Sequence, residues 1–123
     1  ELAEPSAGAW LGLGNALLQQ RRLPEAAAAY QEALALDPDR VEALKNLAIL
    51  VMSAGRSDDA IPILEHVLAL DPASPHMLVL LGHARAARGE RAAARAAFQR
   101  ALQLNPDSQP ARRGLAALEG DPP

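Results

Sequence analysis

The side chains of this sequence that could do chemistry are few: His66, His76 and His83, a single lysine at Lys45, and no cysteine. Imidazole is the commonest metal ligand and general base, so the spacing of the three histidines decides what they can do. His76 and His83 stand two helical turns apart, roughly 10 Å along a helix axis, too far to ligate one metal ion together. His66 falls on a different helical surface. The absence of cysteine excludes disulfides, thiolate nucleophiles and Cys-rich zinc sites. No His/Glu metal motif, glycine-rich phosphate loop or serine triad pattern occurs, so neither catalysis nor a cofactor is expected.

Recognition is what remains, and composition narrows its kind. A net charge of −3 and an aromatic content of 2%, from Trp10, Tyr30 and Phe98 alone, argue against a nucleic-acid surface, which needs positive charge and rings for stacking. No apolar run approaches the roughly 20 residues that span a bilayer. The opening ELAEPSAGAW has neither the basic start nor the apolar middle of a signal peptide, and no initiating methionine. The chain is therefore expected to be processed or cut from something longer. A cysteine-free chain suits a reducing cytoplasm and an oxidising periplasm alike, with the cytoplasm the first choice. Abundant alanine and arginine beside one lysine point to a GC-rich, bacterial genome.

The elements that must position these groups announce themselves by repetition. LALDP at Leu34 to Pro38 returns at Leu68 to Pro72, and nearly again as LQLNP at Leu102 to Pro106, a period of 34 residues. With 50% hydrophobic residues dominated by alanine and leucine, the expected class is all-α. Each unit holds two amphipathic stretches; Trp10, Leu13 and Leu17 form one stripe, and Ala26, Tyr30, Ala33 and Leu34 the next. Pro24 suits a first turn, Asp37-Pro38 ends the second helix, and Gly55 and Gly89 stand where first helices need a cap. The pattern predicts helices over 7–20, 24–36, 41–54, 58–70, 75–88, 92–104 and 109–119. Ser57-Asp58-Asp59 reads as an N-terminal capping run, and Pro62 would kink the turn that follows it. The division that follows is a tail of an earlier repeat over 1–6, repeats over 7–40, 41–74 and 75–108, a capping helix over 109–119 and a disordered tail over 120–123. Leu2, in register with Leu36, Leu70 and Leu104, carries the suggestion of an earlier repeat.

These residues resemble the tetratricopeptide repeat family, whose signature is W-x2-L-G-x2-Y, then A-x3-F, A and P within 34 residues. The first unit supplies Trp10, Leu13, Gly14, Leu17, Ala26, Tyr30, Ala33 and Pro38 at those places. The second supplies Leu44, Leu47, Ala48, Val51, Ala60, Leu64, Val67 and Pro72, and the third Leu78, Leu81, Gly82, Arg85, Ala94, Phe98, Ala101 and Pro106. Small residues at 14, 48 and 82, facing Ala26, Ala60 and Ala94, let the paired helices approach closely. Arg85 departs from the bulky apolar residue of the pattern and implies looser packing or a snorkelling stem. The resemblance implies a right-handed α-solenoid of three hairpins plus a seventh, capping helix, with a concave groove lined by first helices that holds a partner's peptide or helix.

By that resemblance the groove is lined by Gly8, Leu11, Asn15 and Leu18, then Glu42, Lys45, Ile49 and Met52, then His76, Val79, His83 and Ala86, with Arg113 on the last helix and Asn46 beside them. Leu11, Leu18, Ile49, Met52 and Val79 are expected to form an exposed apolar stripe, a mark of an interaction site. Asn15 and Asn46 match two asparagines of the carboxylate clamp with which similar domains grip chaperone C-termini. Leu11, His76 and Leu80 stand where that clamp has basic residues, so the clamp itself is incomplete. Lys45, Arg113, His76 and His83 still outnumber Glu42, which favours an acidic or C-terminal carboxylate ligand unless Lys45 pairs with Glu42. Two functions remain open: a scaffold or adaptor binding a partner in its groove, or a structural, oligomerising or regulatory module of a larger protein, self-associating through its terminal helices.

Overall fold

The turn between two helices recurs with the same hydrogen bonds three times. Leu17, Val51 and Arg85 each accept from the backbone N–H five residues on, at Arg22, Arg56 and Glu90. Leu18, Met52 and Ala86 accept from Arg21, Gly55 and Gly89. These paired bonds close a helix end and require a left-handed residue in the turn. Gly55 and Gly89 supply it at φ 77° and 79°, whereas the first turn uses Arg21 at φ 62°. A side chain there costs about 1 kcal/mol that glycine avoids.

The computed structural model describes residues 4–120; the register of Leu2 and the tail expected at 121–123 lie outside the described residues. The helices are α1 (Ala7–Gln19), α2 (Leu23–Leu36), α3 (Val41–Ser53), α4 (Ser57–Leu70), α5 (Pro75–Ala87), α6 (Arg91–Leu104) and α7 (Gln109–Gly120). No strand occurs among the described residues. Ser6 caps α1 by accepting from the Ala9 N–H at 3.0 Å, and Ser108 does the same for α7 through Ala111 at 3.3 Å. Two expectations change at the helix ends. Arg56, not Ser57, holds the cap position of α4, so Ser57-Asp58-Asp59 forms the first turn, where both carboxylates favour the positive helix end. Gly120 belongs to α7 rather than to a tail. Pro62 sits inside α4, which continues past it to Leu70.

Consecutive helices pack in the order α1 on α2, α2 on α3, and so on to α6 on α7, forming a right-handed α-solenoid. First helices meet across the repeats, α3 with α5 and α5 with α7, and line the concave side. Three apolar clusters fill the seams. The first joins Tyr30 and Ala33 to Leu47 and Leu50, the second Ile61 and Leu64 to Met77 and Ala84, and the third Phe98 and Ala101 to Ala111 and Leu118. The last of these is the capping role of α7.

Within each hairpin one contact sets the helix spacing. A Cβ built on Gly14 would lie 2.6 Å from the Tyr30 ring, and one on Gly82 would lie 2.5 Å from Phe98. In the middle hairpin the same places hold Ala48 and Leu64, a larger residue against a narrower one. Phe98 cannot retreat, because Gly114 of α7 presses its other side with the same 2.5 Å clearance. Arg85, the departure from the repeat pattern, does not loosen its hairpin. Its guanidinium reaches Glu65 of α4 at 2.8 Å and Glu90 at 2.9 Å, tying two repeats together.

Gly82→Ala should therefore destabilise the protein by about 1–2 kcal/mol despite alanine's better helix propensity, because the ring has no room to move. Gly12→Ala, whose Cβ meets nothing within 4 Å, should stabilise it by about 0.5–1 kcal/mol. Adding Phe98→Leu to Gly82→Ala rebuilds the Ala48/Leu64 pairing and should recover part of the loss; urea melts of the four proteins give the coupling. Arg21→Gly should raise stability by about 1 kcal/mol in the same assay.

Candidate functional site

The concave surface repeats a two-layer arrangement in which one residue of a first helix lies over one residue of the following second helix. The pairs are Asn15 over Tyr30, Ile49 over Leu64 and His83 over Phe98. Tyr30 is fully buried, so its hydroxyl must find a partner inside the fold. It donates to Asn15 Oδ1 at 2.7 Å. The same oxygen accepts from Asn46 Nδ2 at 3.0 Å, and Asn15 Nδ2 donates to Glu42 Oε2 at 3.1 Å. Burial pushes the Tyr30 phenol above its ordinary pKa; the Asn46 amide beside it pulls it back and the Glu42 carboxylate adds to the rise. The phenol thus stays protonated and keeps the network oriented.

That network joins α1, α2 and α3, and it brings together Asn15, Glu42 and Asn46 of the expected groove residues. Leu18 follows one turn after Asn15, and Ile49 and Met52 follow Asn46; all three are half-buried, as are Gly8 and Ala86. His76, His83, Glu42 and Arg113 are exposed. The His83 ring meets the Phe98 edge at a centroid distance of 5.1 Å and an interplanar angle of 71°. No group of three His, Cys, Asp or Glu among the described residues could hold a metal ion.

Two groove expectations are corrected. Leu11 and Val79 are only 8% and 6% exposed, so the expected apolar stripe shortens to Leu18, Ile49 and Met52. The twist between hairpins turns Leu11 into the seam with Tyr30 and Ala43, and Val79 into the seam with Ala111. Lys45 does not pair with Glu42. Its ammonium lies 2.8 Å from Asp71 Oδ2, and that contact holds the Asp71 carboxyl below the usual carboxylate range.

Sequence reasoning treated Tyr30 as core only and missed its role in ordering the amides. The available signal was its hydroxyl, a polar atom at a buried place where the other repeats carry Leu64 and Phe98. Asp71 gave no such signal, because it belongs to the LALDP turn that recurs in every repeat for helix termination.

Three further features sit outside the groove. An open cleft on the outer side of the first hairpin is lined by Trp10, Leu13, Leu17 and Ala29 between Glu25 and Glu32. His66 Nε2 and Asp39 Oδ1 meet at 2.9 Å across the first seam. Arg88 and Asp58 approach at 3.7 Å across the second.

Comparison with known proteins agrees with this geometry. The chain is 32% identical over 120 residues, 97% of its length, to "Protein CTR9 homolog" of Arabidopsis thaliana, and covers 11% of that protein. It is 32% identical over 103 residues, 84% of its length, to the "Hsp70-Hsp90 organizing protein" of Triticum aestivum, and covers 18% of it. The chain thus spans under a fifth of the length of these relatives. Its fold superposes with a TM-score of 0.85 on the first TPR of Spaghetti (RPAP3), solved with the HSP90 peptide SRMEEVD, at 21% identity over 96% of this chain and 94% of that one. A tetratricopeptide-repeat profile matches residues 2–41, 11–75 and 45–109, and with three stacked hairpins built on its signature positions the chain belongs to the tetratricopeptide repeat family.

Proposed function

We propose that the concave face binds a peptide or helix of a partner protein along the row Asn15, Ile49 and His83. Protein–protein interaction is the general role of this family, whose repeats are as a rule non-catalytic, and relatives such as the Hsp70-Hsp90 organizing protein support that role here. The observation that carries the groove reading is the ordered amide pair. Asn15 and Asn46, on neighbouring first helices, are fixed by Tyr30 and Glu42 immediately before the half-buried Leu18, Ile49 and Met52. A carboxamide both donates and accepts, which suits a peptide main chain, and an apolar strip beside it suits alternate side chains. Holding those amides still before the ligand arrives lowers the ordering cost of binding.

The charge pattern favours an acidic or C-terminal carboxylate group toward the third repeat. Lys45 is already satisfied by Asp71, whereas Arg113 is exposed and unpaired among the described residues, with exposed His76 and His83 on the adjacent first helix. Basic clamp residues are absent, as Leu11, His76 and Leu80 show, so the chaperone-tail clamp is not the arrangement proposed.

The test is a pull-down from source lysate with wild type, Ile49→Ser and Arg113→Glu side by side, each checked for unchanged helicity and melting. A partner retained by wild type and lost from both variants supports the groove; equal retention by all three refutes it. Asn15→Ala is not a clean probe, because it strips the acceptor from the buried Tyr30 hydroxyl and should cost about 1–3 kcal/mol of stability by itself. A captured acidic partner should bind more tightly to Asp71→Asn, which frees Lys45. Acid acts in the same direction: Asp71 keeps its pair above the ordinary carboxylate range and loses it only as pH falls through its lowered pKa. Calorimetric titration of the variant against wild type checks the sign.

A further inference from the structure

The outer face of the first hairpin is the one seam of this solenoid that has no helix on it, and the other seams state what would fill it. Leu13 is 46% exposed, yet Leu47, the residue 34 positions on, is 5% exposed. Leu47 is covered because it packs with Ala27, Tyr30 and Leu34 of α2. In the next seam Leu81 packs with Ile61, Leu64 and Leu68 of α4, and in the last Leu115 packs with Phe98 and Leu102 of α6. A second-type helix therefore covers this leucine each time with the same stripe, a small or branched residue, a large one three on, and a leucine four beyond that.

The first hairpin has the matching socket: Leu13 and Leu17 with Trp10 and Ala29 around an open cleft. Its rim differs from the internal one in sign. At the first seam His66 bonds Asp39, which lies five residues past Leu34 of the covering stripe. Glu32 occupies the place of His66 on the outer face, so its complement is a base. A second copy of this chain cannot supply the covering helix, because α2, α4 and α6 all have their stripes occupied, the last by α7.

We propose that this face is a second docking site, distinct from the groove, that takes an amphipathic helix of a partner protein with the stripe Ala-x2-Leu-x3-Leu and a basic residue five positions on. Continuity with the three internal seams defines the apolar part, and Glu32 defines the charge.

Trp10, the sole tryptophan, lies in the socket and reports on it directly. The probe is a hydrocarbon-stapled peptide of the form Ala-x2-Leu-x3-Leu-x4-Lys, stapled because a free helix of this length is marginal in water. Titrated into the intact protein, it should shift Trp10 emission to the blue with saturation. Leu13→Glu, at an exposed position and with melting checked, should weaken binding by at least about tenfold. Glu32→Lys should weaken the Lys-ended peptide and strengthen a Glu-ended one, while Ile49→Ser in the groove should change nothing. Groove binding and this docking can therefore fail separately. No saturable shift, an equal shift from a peptide with the stripe scrambled, or a blue shift that follows protein concentration together with a doubled mass would each overturn the proposal, the last assigning the face to self-association.

Discussion

The contact on which the rest depends is the one between the twenty-fourth residue of each repeat and the eighth. Tyr30 on Gly14, Leu64 on Ala48 and Phe98 on Gly82 fix how near the two helices of a hairpin can lie. The bulk is exchanged across the pair, ring against glycine and leucine against alanine, so total volume is conserved as close packing demands. Once that distance is set, the positions of α1, α3 and α5 follow, and with them the concave surface. Phe98 extends the constraint to α7, since Gly82 and Gly114 grip its ring from both sides. The capping helix is thus locked by the same side chain that spaces the last hairpin.

Function is grafted onto this spacer at its polar variant. Only Tyr30 carries a hydroxyl at that buried place, and the need to satisfy it draws Asn15 and Asn46 into one network with Glu42. Where Leu64 and Phe98 stand instead, the residues above them are Ile49 and His83, which owe the core no hydrogen bond. The concave surface consequently grades from an ordered amide end, through an apolar middle, to an end bearing imidazoles and Arg113. Ion pairs such as Lys45–Asp71 and Arg85–Glu65 bridge helices but are partly exposed, so they guide register more than they stabilise.

The two ends of the stack are treated unequally. At the C-terminal end α7 buries Ala111, Gly114 and Leu118 and turns Arg112, Arg113 and Glu119 outward. At the other end Leu13, Leu23 and Leu36 remain among the exposed large apolar residues. A solenoid buries each repeat's face only against a neighbour, so an apolar face without one is surface kept available for another helix.

The sequence by itself determined the helices, their stops, the repeat register and the small-against-large pairing, because these depend on residues within one 34-residue unit. The apolar period, the proline after each second helix and the glycines of the turns are local signals, and observed helix ends fall within one residue of the pattern. What only the tertiary structure decided lies between units. Lys45 finds Asp71, Arg85 bridges Glu65 and Glu90, and Leu11 and Val79 rotate into the seams while Ile49 stays half-exposed. Each of these outcomes is set by the twist of one hairpin on the next, a rotation that arises from the whole packed seam and that no residue's type or spacing records.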